Sequence, residues 1–257
     1  VTRALPKQQP VPTTFKTIQL KQVSFRYTPT DPELITDIDL TVHAGEKMAI
    51  LGPSGMGKTT LLQLVLGDLT PTTGQVLIDG QDVLNYQQNR TNLFAVLDQS
   101  PFLFSTSIIN NVRLGNENAS DEEVAAALKA VKLDKLIAQL PNGMDSSVEE
   151  AGFAFSGGER QRLSLARILL QDAPIILLDE PTVGLDPITE QALLDTMFSV
   201  LKGKTILWVT HHLQGVSQTD RVVFLEDGKL TMNDTPQHLA EQNQRYQNLY
   251  ALDAGLR

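Results

Sequence analysis

The sequence predicts an α/β fold: a mixed sheet with helices, an antiparallel β subdomain and an inserted helical subdomain. Three observations carry this. Short β-rich runs alternate with helical patterns along the chain. A glycine-rich turn stands between a compact apolar run, Lys47–Leu51, and a helical pattern over Thr60–Leu69. From about residue 100 to 172 strands become scarce and helix signals dominate.

The elements follow in order. Residues 1–16 begin with VTRALPKQQPVPTT, which carries three prolines and no apolar periodicity, and read as a linker. The run Thr17–Tyr27 alternates apolar and polar positions, as a half-exposed strand does. Ile38–Val42 and Val76–Asp79 are further short strands, the latter closed by the turn dipeptide Asp79-Gly80. Ser120 with Glu123 forms a capping box, and Val124, Leu128, Val131, Leu133 and Leu136 follow at helical spacing. Ile175–Leu178 and Thr205–Thr210 are strongly apolar strands. Arg221–Glu226 and Lys229–Met232 flank Asp227-Gly228 as a hairpin, and Thr235 caps a last helix with Pro236 in its first turn.

Composition narrows the function classes. Of 257 residues, 41% are apolar and 20% charged, the balance of an ordinary globular protein. A formal net charge of −9 repels phosphate backbones, so no nucleic-acid partner is expected. The absence of cysteine excludes disulfides and thiolate metal sites. No run approaches the roughly 20 apolar residues that span a bilayer. The start at Val1 and the proline-rich opening lead us to expect that the chain is part of a longer polypeptide.

Three motifs carry chemistry. Gly52-Pro53-Ser54-Gly55-Met56-Gly57-Lys58-Thr59, followed by Thr60, fits G-x-x-x-x-G-K-[ST] between a strand and a helix, the context this phosphate-binding loop requires. Its backbone amides and the positive end of the helix cradle phosphates. Lys58 reaches the β- and γ-phosphates, and the Thr59 hydroxyl binds Mg²⁺. The apolar run Ile175–Leu178 delivers Asp179 to the Mg²⁺ region, and Glu180 beside it supplies a second carboxylate able to polarise water. Ser156, Gly157, Gly158 and Glu159 then open a helix with a second capping box, a second helix start suited to an anion. One nucleotide does not obviously need both.

GPSGMGKT, FSGGERQR and IILLDEPT, with Walker A and Walker B flanking a signature, together resemble the nucleotide-binding domain of ABC transporters over about residues 17–250. The resemblance implies the ABC ATPase fold on a P-loop NTPase core, with ATP and Mg²⁺ as ligands. It also implies a second ABC ATPase domain, identical or different, that pairs head to tail so that each ATP lies between one Walker A and the other signature. In that pattern Tyr27 matches the aromatic residue that stacks on adenine, while Phe25 belongs to the core. Gln99 matches the loop glutamine that senses Mg²⁺, Asp186 lines the dimer interface, and His211 contacts the γ-phosphate. His212 is a bystander in this reading. Metal contacts fall to Thr59, Gln99 and Asp179, and catalysis to Glu180, His211 and Lys58.

FLFSTSIINN (102–111) and LPNGMDSSVEEAG (140–152), with Glu150 just before the signature, resemble the exporter class. The pattern departs at Glu149 and Ala151, where glycine is usual, and at Phe155, where leucine is usual. The class implies a transmembrane domain before this one and a place on the cytoplasmic face of the membrane. LDEPTVGLD with Glu159 in the signature is similar to the C subunit of the heterodimeric bacterial exporter needed for cytochrome bd assembly. That branch moves small thiols such as cysteine or glutathione. Two alternatives remain at this stage. One is an ABC ATPase acting on nucleic acid or ribosomes. The other is a GTP-binding switch, for which the chain has no [NT]-K-x-D guanine-reading motif.

Overall fold

A computed structural model describes residues 14–148 and 155–255. The strands are β1 (Thr17–Phe25), β2 (Ile35–His43), β3 (Lys47–Leu51), β4 (Thr73–Ile78), β5 (Gln81–Asp82), β6 (Phe94–Leu97), β7 (Ile175–Asp179), β8 (Thr205–Val209), β9 (Arg221–Glu226) and β10 (Lys229–Asp234). The helices are α1 (Lys58–Leu66), α2 (Ile108–Arg113), α3 (Asp121–Ala130), α4 (Asp134–Ile137), α5 (Gly157–Gln171), α6 (Pro187–Val200), α7 (Pro236–Gln242) and α8 (Gln244–Gly255). The chain divides into two compact units. The first holds the residues through Phe94, Pro174–Asp179 and everything from Gly203; the second holds Ala95–Ala173 and Glu180–Lys202.

The first unit contains both kinds of sheet the sequence implies. An antiparallel sheet runs β2-β1-β4-β5. Leu20 of β1 faces Leu40 on one side and Val76 on the other, which puts the apolar half of the alternation on one surface. A mixed sheet runs β10-β9-β3-β8-β7, and its last strand, β6, carries the chain out of this unit. Here β3 pairs in parallel with β8 and β9, β7 pairs in parallel with β8, and only the β9–β10 hairpin is antiparallel. Every residue of β8 is buried, which explains why TILWV reads as a continuous apolar run. One core joins Ile18, Leu20 and Ile35 of the antiparallel sheet to Ile50, Leu177, Leu207 and Val223 of the mixed sheet.

Several boundaries differ from the sequence reading for identifiable reasons. β2 begins at Ile35, because Leu34 N–H donates to Phe25 O at 2.9 Å and carries the pairing upstream. α1 begins at Lys58, immediately after the last loop glycine. Thr235 does cap a helix, its hydroxyl accepting from His238 N–H at 3.2 Å. That helix is not the last: Asn243 Oδ1 accepts from Tyr246 N–H at 2.9 Å and starts α8.

The second unit is helical. Ser120 and Glu123 make both bonds of the expected capping box at α3. The Arg162 guanidinium of α5 donates to Val131 O and to Thr196 Oγ1 of α6, both at 3.1 Å, joining the end of α3 to two further helices. Its surroundings strip it of water and hold its pKa below the usual arginine value. The exporter-like positions Glu149, Glu150 and Ala151 and most of the N-terminal linker lie outside the described residues.

Candidate ATP site

The phosphate loop is built by the first unit alone. β3 ends at Leu51, and Gly52 follows with φ 154. A Cβ on Gly52 would lie 2.2 Å from Leu225 O of β9, so only glycine lets the loop leave the sheet here. Gly57, left-handed at φ 89, stands at the N-cap of α1 with no side-chain cap. The first amides of α1 therefore meet no capping side chain, which is what an anion requires.

Side chains complete the loop. Lys58 is 5% exposed, and its ammonium donates to Gly52 O at 2.8 Å and Pro53 O at 3.0 Å, curling back over the loop. Pro53, Ser54 and Gly55 are exposed, and Met56 is half-buried. Thr59 Oγ1 donates to Asp179 Oδ1 at 3.0 Å, so the hydroxyl at the helix start and the carboxylate at the end of β7 converge across 120 residues of sequence. Both are hard oxygen donors of the kind Mg²⁺ takes. The Tyr27 hydroxyl bonds Thr60 Oγ1 at 2.9 Å, which stands the ring, 59% exposed, beside α1. Phe25 is buried and meets Tyr27 edge-on at 4.9 Å, in agreement with a core role.

His211 lies just beyond β8 in the same unit and is exposed. Its ring rests against that of His212, centroids 4.1 Å apart. His211, Gly52, Pro53, Leu213, Leu249 and Asp253 line one cavity of about 170 Å³. The sequence reading had no part for Asp253. It lies on α8, forty residues from the histidine loop, and no local pattern marks it.

The remaining candidates belong to the second unit. At α5 the Ser156 hydroxyl accepts from Glu159 N–H at 3.3 Å and donates to Glu159 Oε2 at 2.8 Å; Ser156 N–H donates to the same carboxylate at 2.8 Å. Gly157 and Gly158 follow in the helix, and a Cβ on Gly158 would come within 2.8 Å of Thr189 Cγ2 of α6. Gln99 is exposed in the loop after β6. The backbone of this loop is held by Gln161 of α5, whose amide donates to Asp98 O at 3.1 Å and Gln99 O at 2.9 Å. Gln161 is 3% exposed, and sequence reasoning passed over it.

Glu180 has φ 46, a left-handed backbone that a non-glycine residue adopts at a cost of the order of 1 kcal/mol or more. Such outliers concentrate where chemistry fixes a side chain's direction. Asp186 is the N-cap of α6: Oδ1 accepts from Ile188 N–H at 3.1 Å and Thr189 N–H at 3.0 Å. Hydrogen bonding from Thr189, side chain first and then backbone, holds its carboxyl below the usual range.

The ABC transporter family model matches residues 35–183, more than half of the chain and everything from β2 through the Walker B carboxylates. The chain belongs to the ABC transporter family. It is 53% identical over 237 residues to the glutathione/L-cysteine transport system ATP-binding/permease protein CydD of Bacillus subtilis (strain 168), covering 92% of this chain and 41% of the relative. It is 39% identical to the mycobactin import ATP-binding/permease protein IrtB of Mycolicibacterium smegmatis, covering 91% and 40%. Among solved structures, a bacterial Atm1-family ABC exporter with ATP bound superposes with TM-score 0.86 at 33% identity, covering 98% of this chain and 45% of that one.

The chain therefore spans less than half the length of these ABC transporters. It is an ABC transporter ATPase domain with the ABC ATPase fold. The sequence reading pointed to the C subunit of the thiol exporter; the relative found is CydD. None of these relatives is a nucleic-acid or ribosome ATPase. Among the described residues no helix is long and apolar enough to cross a membrane.

Proposed function

We propose that this domain hydrolyses ATP·Mg²⁺ to drive an exporter of small thiols, working as one of a head-to-tail pair of ATPase domains at the cytoplasmic face of the membrane. The observation that carries the ATP site is the phosphate loop with its Thr59–Asp179 pair. Mg²⁺ would be held by Thr59 and Asp179, with Gln99 completing the set, and when bound it neutralises charge on the β- and γ-phosphates. Tyr27 offers its exposed ring to adenine. Lys58 exchanges its two backbone carbonyls for phosphate oxygens. Glu180 orients the attacking water and accepts its proton, and His211 holds the γ-phosphate. The partner's signature helix supplies the remaining donors through its serine and glycines. Phosphoryl transfer asks mainly for positioning and charge stabilisation, and these groups offer both.

The pairing is tested with Glu180→Gln. Turnover should vanish while ATP binding persists, and light scattering on the full-length protein and on this chain should show an ATP·Mg²⁺-dependent dimer. Undiminished turnover would refute the part given to Glu180. The cargo rests on the 53% identity to CydD and is tested separately, by ATP-dependent movement of glutathione or cysteine in sealed vesicles bearing the full-length protein. Vesicles that move neither thiol would remove the cargo and leave the ATPase reading standing.

A further inference from the structure

The loop that carries His211 is held from the C-terminal helix. Asp253 of α8 accepts from Leu213 N–H through Oδ2 at 3.0 Å, and its Oδ1 lies 3.3 Å from His212 Nδ1. The Thr210 hydroxyl accepts from His212 N–H at 3.0 Å, and Thr210 N–H donates to Ile50 O of β3 at 3.1 Å. The loop is thus fixed to the sheet on one side and to α8 on the other. The His211 ring lies against His212, and α8 adds Leu249 and Asp253 to the cavity that Gly52, Pro53 and His211 share.

We propose that Asp253, acting with His212, is a positioning residue that sets the His211 ring relative to the phosphate loop, so that α8 determines how well this domain hydrolyses ATP. The physical case is one of lever arms. His211 is exposed, and the direction of an imidazole on an exposed loop depends on what its ring packs against. One carboxylate fixes both the backbone at Leu213 and the neighbouring ring, which leaves the His211 ring a surface to lie on. His212 then ceases to be a bystander. The Asp253 carboxylate is half-buried, and its two oxygens are divided between a ring nitrogen and a backbone amide. That division suits a fixed geometry better than a freely solvated surface acid.

This inference rests on the reading of His211 as the γ-phosphate contact, and the test separates the two. Steady-state ATPase activity and nucleotide affinity are measured on the full-length protein for His211→Ala, Asp253→Ala, Asp253→Asn and His212→Ala. If Asp253 acts through His211 on the transition state alone, Asp253→Ala lowers kcat about 10-fold and leaves KM and the ATP dissociation constant within about 2-fold. Asp253→Asn keeps an acceptor for Leu213 N–H and stays within about 3-fold of the parent. His212→Ala, which removes one of the two contacts, falls between them.

A large loss in His211→Ala with unchanged kcat in Asp253→Ala overturns the positioning proposal and spares the His211 reading. An unimpaired His211→Ala overturns the reading, and the proposal with it. If Asp253→Ala does not fold, Asp253→Asn and His212→Ala decide. Equal and parallel losses of kcat and affinity in these two mean that α8 only supports the fold, and the proposal fails.

Discussion

The two glycine-bearing helix starts of this domain are built in opposite ways. At α1 the N-cap is Gly57, which brings no side chain, and the buried Lys58 beside it donates to the loop's own carbonyls. At α5 the N-cap is Ser156, whose hydroxyl and amide are both engaged by Glu159. The first helix start keeps its amides clear of capping groups and places a positive charge behind them. The second satisfies itself, with the Glu159 carboxylate on its N-cap amide and hydroxyl. At α1 the Asp179 carboxylate is held on the Thr59 hydroxyl, and no side chain caps the helix amides that an anion would meet. At α5 it must compete with Glu159, and under the head-to-tail pairing proposed above the competing anion is the ATP that the partner domain presents.

The largest effect that tests this contrast is on the α1 side. Lys58→Ala should weaken ATP binding by about 100-fold or more and abolish turnover, as loss of a charged phosphate ligand in a dry loop does. Equilibrium nucleotide titration reads it directly. Retention of tight ATP binding would mean that the backbone cradle suffices and that the contrast is overstated.

Ser156→Ala comes next and should behave differently. ATP affinity of the isolated chain stays near that of the parent, while turnover of the assembled protein falls about 10-fold. The lost cap costs about 1 kcal/mol of stability in a melting experiment. Equal losses of affinity from both substitutions would erase the distinction between the two helix starts.

Glu159→Gln sharpens the comparison with a gain. Glutamine preserves the capping box but removes the carboxylate charge. In the Glu180→Gln background the ATP-dependent dimer should tighten by roughly 3- to 10-fold, a scale set by relief of one like-charge contact. Light scattering against protein concentration measures it, and an unchanged or weaker dimer would show that Glu159 does not compete for the phosphate.

The smallest effect concerns Asp186. Its carboxyl is held below the usual range by the Thr189 and Ile188 donors, so its contribution to stability is present above the unfolded-state value and is lost as pH falls through the lower folded value. Asp186→Asn, which still accepts a bond at the cap, should therefore melt close to the parent in strong acid and slightly below it at neutral pH. A difference that grows toward low pH would contradict the assigned cap.

Most of the site could be read along the chain because its motifs are local. The loop from Gly52 to Thr59, the box at Ser156 and the carboxylates after Ile175–Leu178 are each written in a few consecutive residues, and their backbone needs fix the residue types. What escaped reading was tertiary. Asp253 acquires its meaning only when α8 returns to the end of β8, and Gln161 only when α5 passes the loop after β6. Neither contact leaves a periodic or compositional trace. The helix α8 itself begins with the polar run Gln244-Arg245, and Tyr246, its buried anchor among the described residues, is too little to signal a helix. Desolvation there pushes the Tyr246 hydroxyl up to about 12, the mark of a phenol held by packing and invisible in the sequence. β2 likewise reaches further upstream than its own pattern suggests, because the edge of β1 recruits it.

The close approach of Gly52 to Leu225 has a bearing on how the molecule is made. The same corner of the sheet is tied by Lys47 N–H to Asp220 Oδ2 at 2.8 Å, a bond between residues 173 positions apart. The nucleotide loop takes its shape against β9, a strand that leaves the ribosome long after the loop has done so. A nascent chain that ends before Arg221 carries the whole Walker A run and yet lacks the surface that shapes it. Closing so distant a pairing is slow, and the early segment must wait for it. The shape of the loop is thus complete only when the far end of the chain has arrived.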